Sequence, residues 1–400
     1  MATSLPNKQK IRLHYAVSHQ HQHSFPIKGQ GTVSVSPASI DKVLRIVLST
    51  DGDDCVGLAI DADGLALWTR SAGVVSDLAR REDRQLGLDP DNPGLPYWMS
   101  LDTNNQRIRY GKGEMQRELM LYEFSWAEAR TALPDFSKDI RHIRIEGASV
   151  DHLKVLDMPV TLTPSPHLIA SSGMTMEIIA NNSASVIDDL PPACKVLYAN
   201  VAGPGMNLAP PDFPEFAQAI QYSIVTPGGL CHEKLREKNP AFGYLRVTLD
   251  ANMGDSPGQP YVLEIWPAGN GSPIHDHGNA CAVIKVLHGQ IQVSWFSALS
   301  PHISEPWGST IAHAGEVTFL TPGYYQIHKL FNPSPKQGGS FCATIQCYRY
   351  LDGDMQHYEY FDYIENDQVK QFSPDSDWRY LYFKQAIRDE WDRAGSAHGA

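Results

Sequence analysis

Between residues 269 and 289 the sequence reads GNGSPIHDHGNACAVIKVLHG, and His275 and His277 stand one residue apart in a run otherwise composed like β-strand. Side chains on a strand alternate faces, so the two imidazoles share one side and Asp276 takes the other. Two imidazoles on one face can ligate one divalent cation. An isolated His-x-His is more simply read as two buried, hydrogen-bonded histidines, but the surroundings change that reading. Five residues stand between Gly269 and His275, and Gly289 closes the next strand as a hairpin turn. Farther on, GEVTFLTPGYYQIHKLFN carries Gly315, a Pro322-Gly323 turn, a third histidine at His328 and, after three more residues, Asn332.

This arrangement resembles the two cupin motifs, G(X)5HXH and G(X)5-6PXG(X)nH(X)3N, whose strands face each other across a small β-barrel and whose histidines converge on one metal. The cupin glutamate expected shortly after the second histidine is absent, since Gly278, Asn279, Ala280, Cys281 and Ala282 supply no carboxylate. Three neutral imidazoles leave a divalent ion its full charge and open positions, unlike a triad of two histidines and a carboxylate. Three-histidine cupins are typical of thiol dioxygenases. IHDH…IKVLHG and QIHKLFNPS resemble the IHDH…LKxLxG and GLHRVENPS segments of the cysteine dioxygenase family. FGYLRVTL resembles that family's YTRN strand, which places Arg246 as the arginine that holds a substrate carboxylate. ATIQCYRY matches the family's Ser-x-His-x-Tyr strand in part: Thr344, Gln346 and Tyr348 take its same-face positions, and Gln346 replaces the histidine that holds the tyrosine.

The resemblance covers about residues 213 to 372. It implies Fe(II) held by His275, His277 and His328, with a small carboxylate-bearing thiol, cysteine or a related mercapto acid, and O2 as substrates. Both oxygen atoms end on sulfur as a sulfinate. Arg246 would grip the carboxylate through its planar fork, Tyr348 would donate a hydrogen bond to dioxygen or substrate, and Thr344 and Gln346 would line the substrate. Some members join a cysteine five residues after the second histidine to the tyrosine by a thioether. Here that position is Ala282, and Cys281 stands one residue early, so no such link is expected.

Other readings stand beside this one. A metal-dependent cupin lyase or isomerase acting on a small carboxylate would use the same histidines without O2, and a sugar-binding protein with a degenerate cupin would not need them intact. SHQHQHSF would bring His19, His21 and His23 to one face if extended, but it lies in a polar N-terminal tail where disorder is the simpler reading. Asp51, Asp53 and Asp54 fit no EF-hand spacing and read as a solvated hairpin turn. YWMSLDTNNQRIRYGKGE, residues 97–114, resembles the all-β, lectin-like domains named after farnesoic acid O-methyltransferase. That resemblance implies a surface formed by Trp98, Arg107 and Tyr110 for a carbohydrate or other ligand. It implies no methyltransferase chemistry, because no Gly-rich cofactor loop accompanies it.

The elements that position these residues read as mainly β. After a polar tail over 1–30, short apolar–polar alternations over 31–165 predict an antiparallel β-sandwich. Pro and Gly accumulate over 166–210, which reads as a junction, with the domain boundary somewhere in 161–210. FPEFAQAIQYSIVTPGG and CHEKLREKN predict two helices, strands follow, and SDWRYLYFKQAIRDEWDRAG predicts a closing helix. For residues 211–400 the resemblance implies that these strands form a cupin barrel, with a few flanking helices.

Two domains also agree with 400 residues, more than one core usually serves. A net charge of -12 without runs of like charge lacks the field that nucleic acid or an anionic membrane surface requires, so neither is an expected partner. No signal-peptide core, transit pattern or long apolar stretch is visible, and a soluble, cytoplasmic protein is expected. The six cysteines form no CxxC pair, which argues against a zinc ribbon or a disulfide scaffold and for buried thiols.

Overall fold

The computed structural model describes residues 13–16, 23–250, 261–351, 360–372 and 375–398. The chain divides into two compact units, Met1–Thr163 and Pro164–Ala400.

The first unit is a ten-stranded antiparallel sheet built on two long strands, Gln30–Ser49 and His142–Leu156. They pair along their length, from His142 opposite Ser49 to Leu156 opposite Thr32. The N-terminal half of the first long strand also pairs with Tyr97–Asp102, and its C-terminal half with Cys55–Ile60. Each half then grows outward by hairpins. Every residue of Tyr97–Asp102 is buried, and since neighbours on a strand face opposite sides, both faces of that strand are covered. This is the expected sandwich, with the difference that its halves are one hydrogen-bonded sheet sharing the two long strands. Register shifts interrupt that shared ladder between Glu146 and Ala148. Gly147 between them has φ +76, and a Cβ there would lie 2.0 Å from the Val43 carbonyl oxygen, so only glycine passes.

The stretch read as a polar tail contributes to this unit. Leu13–Ala16 pairs with residues 153–156, His23 and Ser24 pair with Ile143 and His142, and Phe25 is fully buried. Of the three tail histidines, His19 and His21 lie outside the described residues. Asp51 and Asp53 lie exposed in the turn before Cys55–Ile60, as expected, and Asp54 ties that turn down by accepting from Ala72 N at 2.7 Å.

The second unit holds two main sheets. Six strands run in the order Val317–Leu320, Cys281–His288, Cys342–Arg349, Tyr261–Trp266, Leu245–Asp250, Trp378–Arg379, and three in the order Gly308–His313, Gln290–Trp295, His328–Phe331. Except for the parallel pairing of Leu245–Asp250 with Trp378–Arg379, the pairs in both sheets are antiparallel. Two facing antiparallel sheets with chain crossing between them are the double-stranded β-helix, the cupin barrel. Gly289 departs from expectation: it closes no hairpin, because Cys281–His288 and Gln290–Trp295 belong to different sheets. It turns the corner between them at φ +69, where a Cβ would lie 2.6 Å from the Phe341 carbonyl oxygen.

The segment read as a junction is core of this unit. Leu168, Ile187, Leu190, Cys194, Leu197 and Val201 join the cluster that contains Ala282, Val286, Ile345 and Tyr348. Helix Pro192–Val201, started by a proline where no N–H is needed, packs on strand Cys281–His288. The prolines and glycines punctuate short elements here and do not mark a linker. Helices Phe216–Val225, Leu230–Glu237 and Tyr380–His398 lie at the predicted places, and Phe216, Ile220, Phe383 and Ile387 pack with Leu245, Val247, Leu263 and Ile265. All six cysteines are buried. Among the described residues no helix is long and apolar enough to cross a membrane.

The buried aliphatic side chains fix where the second unit can begin. Each contributes roughly 1.5–3 kcal/mol, so losing Leu168, Ile187, Leu190, Leu197 and Val201 costs on the order of 10 kcal/mol, comparable with a domain's whole net stability of about 5–15 kcal/mol. A chain beginning at Pro164 should therefore express as soluble protein with a cooperative thermal transition, whereas one beginning at residue 211 should aggregate. Size-exclusion chromatography and circular dichroism melts distinguish the two, and soluble, cooperative behaviour of the shorter chain would refute the assignment.

Candidate metal centre

Two of the three histidines are placed by backbone alone. His275 N donates to His328 O and His328 N donates to His275 O, both at 3.0 Å, so the two residues form a reciprocal antiparallel pair at the end of strand His328–Phe331. His277 follows two residues on, and Gly278 (φ +54) and Asn279 (φ +69) then reverse the chain into strand Cys281–His288. Gln326, buried, fixes the spacing of that loop. Its Oε1 accepts from Asn279 N at 3.0 Å, and its Nε2 donates to Ala280 O at 2.8 Å and Thr321 O at 2.9 Å. Asp276 points away as predicted, and its Oδ1 accepts from Gly278 N and Asp362 N, each at 3.3 Å. Asn332, the last residue of the motif, clamps a loop, donating from Nδ2 to Trp266 O at 2.9 Å and Ser340 O at 3.0 Å.

The ligating nitrogens of His275, His277 and His328 lie within 4.8 Å of one another, and all three side chains are buried. Ring centroids are 4.7 to 4.9 Å apart. His275 Nδ1 lies 3.1 Å from Pro273 O and His328 Nδ1 3.1 Å from Tyr325 O. A carbonyl only accepts, so each Nδ1 carries the proton and each Nε2 presents a lone pair. His277 Nε2 is 3.4 Å from His328 Nε2. Burial, helped by the neighbouring imidazole of His328, lowers His275 to about 3. Burial lowers His328 to about 4 and holds His277 well below its usual value. Three neutral, buried imidazoles with converging lone pairs fit a divalent cation, and among the described residues no carboxylate is part of the cluster.

A chain of polar groups starts beside His277. The Tyr348 ring stacks on its imidazole at 5.3 Å and 21°, and Phe361 meets the imidazole edge-on at 4.6 Å. The Tyr348 hydroxyl donates to Gln346 Oε1, Gln346 Nε2 donates to Glu264 Oε2, and Glu264 Oε1 pairs with Arg246 Nη1 at 3.2 Å. Register accounts for the alignment, because Arg246 lies opposite Glu264, and Glu264 opposite Thr344, on three adjacent strands. Residues 344, 346 and 348 share that face. Thr344 Oγ1 accepts from Trp266 Nε1 at 3.2 Å. Burial pushes the Glu264 carboxyl above its ordinary value, against the pull of Arg246, Lys238 and Gln346. Burial, with the Glu264 charge adding to it, also holds the Tyr348 phenol well above its own. Among the described residues Arg246 Nε and Nη2 are buried without a close hydrogen-bond partner, with the buried Tyr244 phenol the neighbouring acceptor.

The structure thus gathers the predicted ligands, Tyr348, Gln346, Thr344 and Arg246 in one region of the barrel, and adds two residues that sequence reasoning missed. Glu264 had a signal, a charge in the centre of the apolar run VLEIW. Gln326 had none. Ala282, not Cys281, lies opposite Tyr348, with no register shift before Val286, so the Cys281 side chain takes the other face. In the first unit, Trp98 and Tyr110 are fully buried, and Arg107 pairs with Glu123 and, at 3.1 Å, with Glu128. The predicted ligand surface of Trp98, Arg107 and Tyr110 is therefore core and ion pair, because the aromatic positions of these short strands face inward.

No protein-family model matches this chain. Among solved structures, a cupin superfamily protein from Desulfitobacterium hafniense is 12% identical over 27% of this chain and 78% of its own, with a TM-score of 0.20. An oxalate oxidase in complex with the substrate analogue glycolate is 20% identical over 29% of this chain and 57% of its own, at 0.21. A cupin-superfamily sugar phosphate isomerase from Silicibacter pomeroyi is 14% identical over 34% and 81%, at 0.21. The chain spans little more than half the length of the oxalate oxidase. At these scores the likenesses carry no argument about activity, and the barrel itself rests on strand order.

Each of His275→Ala, His277→Ala and His328→Ala should abolish stoichiometric metal retention while leaving a cooperative melt. Metal analysis by mass spectrometry checks this, and full occupancy in any variant removes that residue from the site. A second outcome concerns acid. His275 and His328 titrate in the folded metal-free protein at about 3 and about 4, below the ordinary 6.5, so the unfolded chain binds more protons between those values. Stability of the metal-free protein should fall as pH drops from about 6.5 towards 4, and His277→Leu, which removes one titrating ring, should flatten the fall in melting temperature.

Proposed function

We propose that the barrel is an iron-dependent thiol dioxygenase, converting a small thiol and O2 into a sulfinate, with both oxygen atoms added to sulfur. The observation that carries this reading is the ligand set itself, three buried neutral imidazoles with no carboxylate among them in the described residues. Iron(II) in such a set supplies a site that favours thiolate over thiol and the electrons that activate dioxygen.

The chain's own residues do the rest. His275 and His328 are oriented by the carbonyls of Pro273 and Tyr325, so their ligating nitrogens are aimed before any ion arrives. Tyr348 and Phe361 pack on the His277 ring, hold its plane and exclude water from that side. The Nε–H and Nη2–H groups of Arg246, buried and, apart from the Tyr244 phenol, without an acceptor among the described residues, offer donors for the polar end of the substrate. A small thiol with a hydrogen-bond acceptor fits them. A carboxylate, as in cysteine or a mercapto acid, is the acceptor that the sequence resemblance implies for Arg246.

Protein purified without air and loaded with iron(II) should consume O2 in step with the loss of a small thiol, and mass spectrometry should find a product heavier by two oxygen atoms. Iron-loaded protein that converts a small carboxylate without O2, and takes up no O2 with any thiol of a panel, would favour a lyase or isomerase instead.

A further inference from the structure

We propose that Glu264 sets the charge of the substrate, so that the site takes a thiol whose far end is a neutral hydrogen-bond acceptor, such as an amide, and rejects a free carboxylate. This rests on the thiol dioxygenase reading for the sulfur end only.

The ground is the Arg246–Glu264 pair. Its side chains are 6% and 3% exposed, and Nη1 stands 3.2 Å from Oε1. Arg246 therefore already has its counter-ion. Glu264 cannot easily swing aside, because its other oxygen accepts from Gln346 Nε2, and Gln346 in turn accepts from the Tyr348 hydroxyl. Moving the carboxylate would strand a buried amide and break a chain that ends against His277.

The protein's neighbouring cations offer a second anion no help. Lys238, which faces the same pair, is bound at 2.6 Å to Asp377 Oδ2 and at 2.7 Å to Tyr244 O. Asp377 also accepts from the Arg246 backbone N at 2.8 Å. Arg246 pairs with Glu264, Lys238 with Asp377, and Lys234, 3.9 Å from Asp377, also with Glu237 at 3.6 Å, so the described cations beside the site already have carboxylate partners.

Arg246 nevertheless keeps buried N–H groups, on Nε and Nη2, that no described residue accepts closely, the Tyr244 phenol being the neighbouring oxygen. An acceptor from the ligand completes them. A neutral carbonyl does so at no cost in charge, whereas a carboxylate must shed its hydration and then sit beside Glu264 in a poorly screened interior. Discrimination thus comes from a repulsive element placed against the wrong ligand as well as an attractive one for the right ligand.

The test uses two thiols with one skeleton, 3-mercaptopropionamide and 3-mercaptopropionate, titrated calorimetrically without air into the iron(II)-loaded full chain at neutral pH. The wild type should bind the amide roughly tenfold or more tightly than the acid, and Glu264→Gln should shift that ratio by roughly tenfold or more towards the acid. Should Glu264→Gln fail to fold, the double variant Arg246→Met with Glu264→Leu removes both charges at once and should bind the two thiols within about threefold of each other. Wild-type binding of the acid as tight as that of the amide, an unchanged ratio in Glu264→Gln, or binding of neither thiol overturns the proposal. The predicted binding ratio without oxygen uptake on aeration would instead overturn the dioxygenase reading and leave the charge rule standing.

Discussion

The centre depends on the two backbone hydrogen bonds exchanged between His275 and His328. They join the loop before the barrel's long strand to the strand His328–Phe331, and in doing so bring together histidines that are 53 positions apart in the sequence. A side-chain contact could have drifted, but a reciprocal main-chain pair fixes both Cα positions and leaves only rotamers to choose. Those are chosen by the Pro273 and Tyr325 carbonyls. What remains for His277 is the turn after it, and Gln326 holds that turn with three hydrogen bonds. The imidazole geometry is therefore a property of the polypeptide before it is a property of any ion.

Much of this was legible in the sequence, and for definite reasons. The three candidate ligands and the barrel were legible through the resemblance to the cupin motifs, and the two helices ahead of it through apolar spacing, because helices impose a period that the chain must obey. Ala282 rather than Cys281 opposite Tyr348 was also legible, since the pleat alternates strictly where no bulge intervenes. Less legible were contacts that depend on register between distant strands. Nothing local says that Arg246 lies opposite Glu264, so a buried arginine read as waiting for a substrate is found with an internal partner. Residues 166–210 were misleading for a different reason. Proline and glycine mark the ends of elements, and when elements are as short as Leu168–Ile169 or Pro192–Val201 their density looks like that of a linker. The aromatic residues of the first unit misled because Trp98 and Tyr110 carry the same side chains whether they bind a ligand or fill a core.

The two units solve the same problem differently. The first covers both faces of Tyr97–Asp102 by running two long strands through both halves of one sheet. The second changes sheets at single residues such as Gly289 and so encloses a space into which polar groups can project. Its interior charges are accordingly given partners: Arg246 pairs with Glu264 and Lys238 with Asp377, while Lys285 donates to the carbonyls of Ala202 and Gly203.

A carboxylate cannot donate, and that small fact propagates along the polar chain. Glu264 obliges Gln346 to turn its amino end inward, Gln346 obliges Tyr348 to surrender its proton, and a hydroxyl has only one proton to give. The tyrosine oxygen beside His277 is thereby left with lone pairs alone. Whatever else comes to rest against that oxygen must carry its own hydrogen. A phenol in this position usually suggests a source of protons, but here the wiring behind it has turned the residue into a receiver.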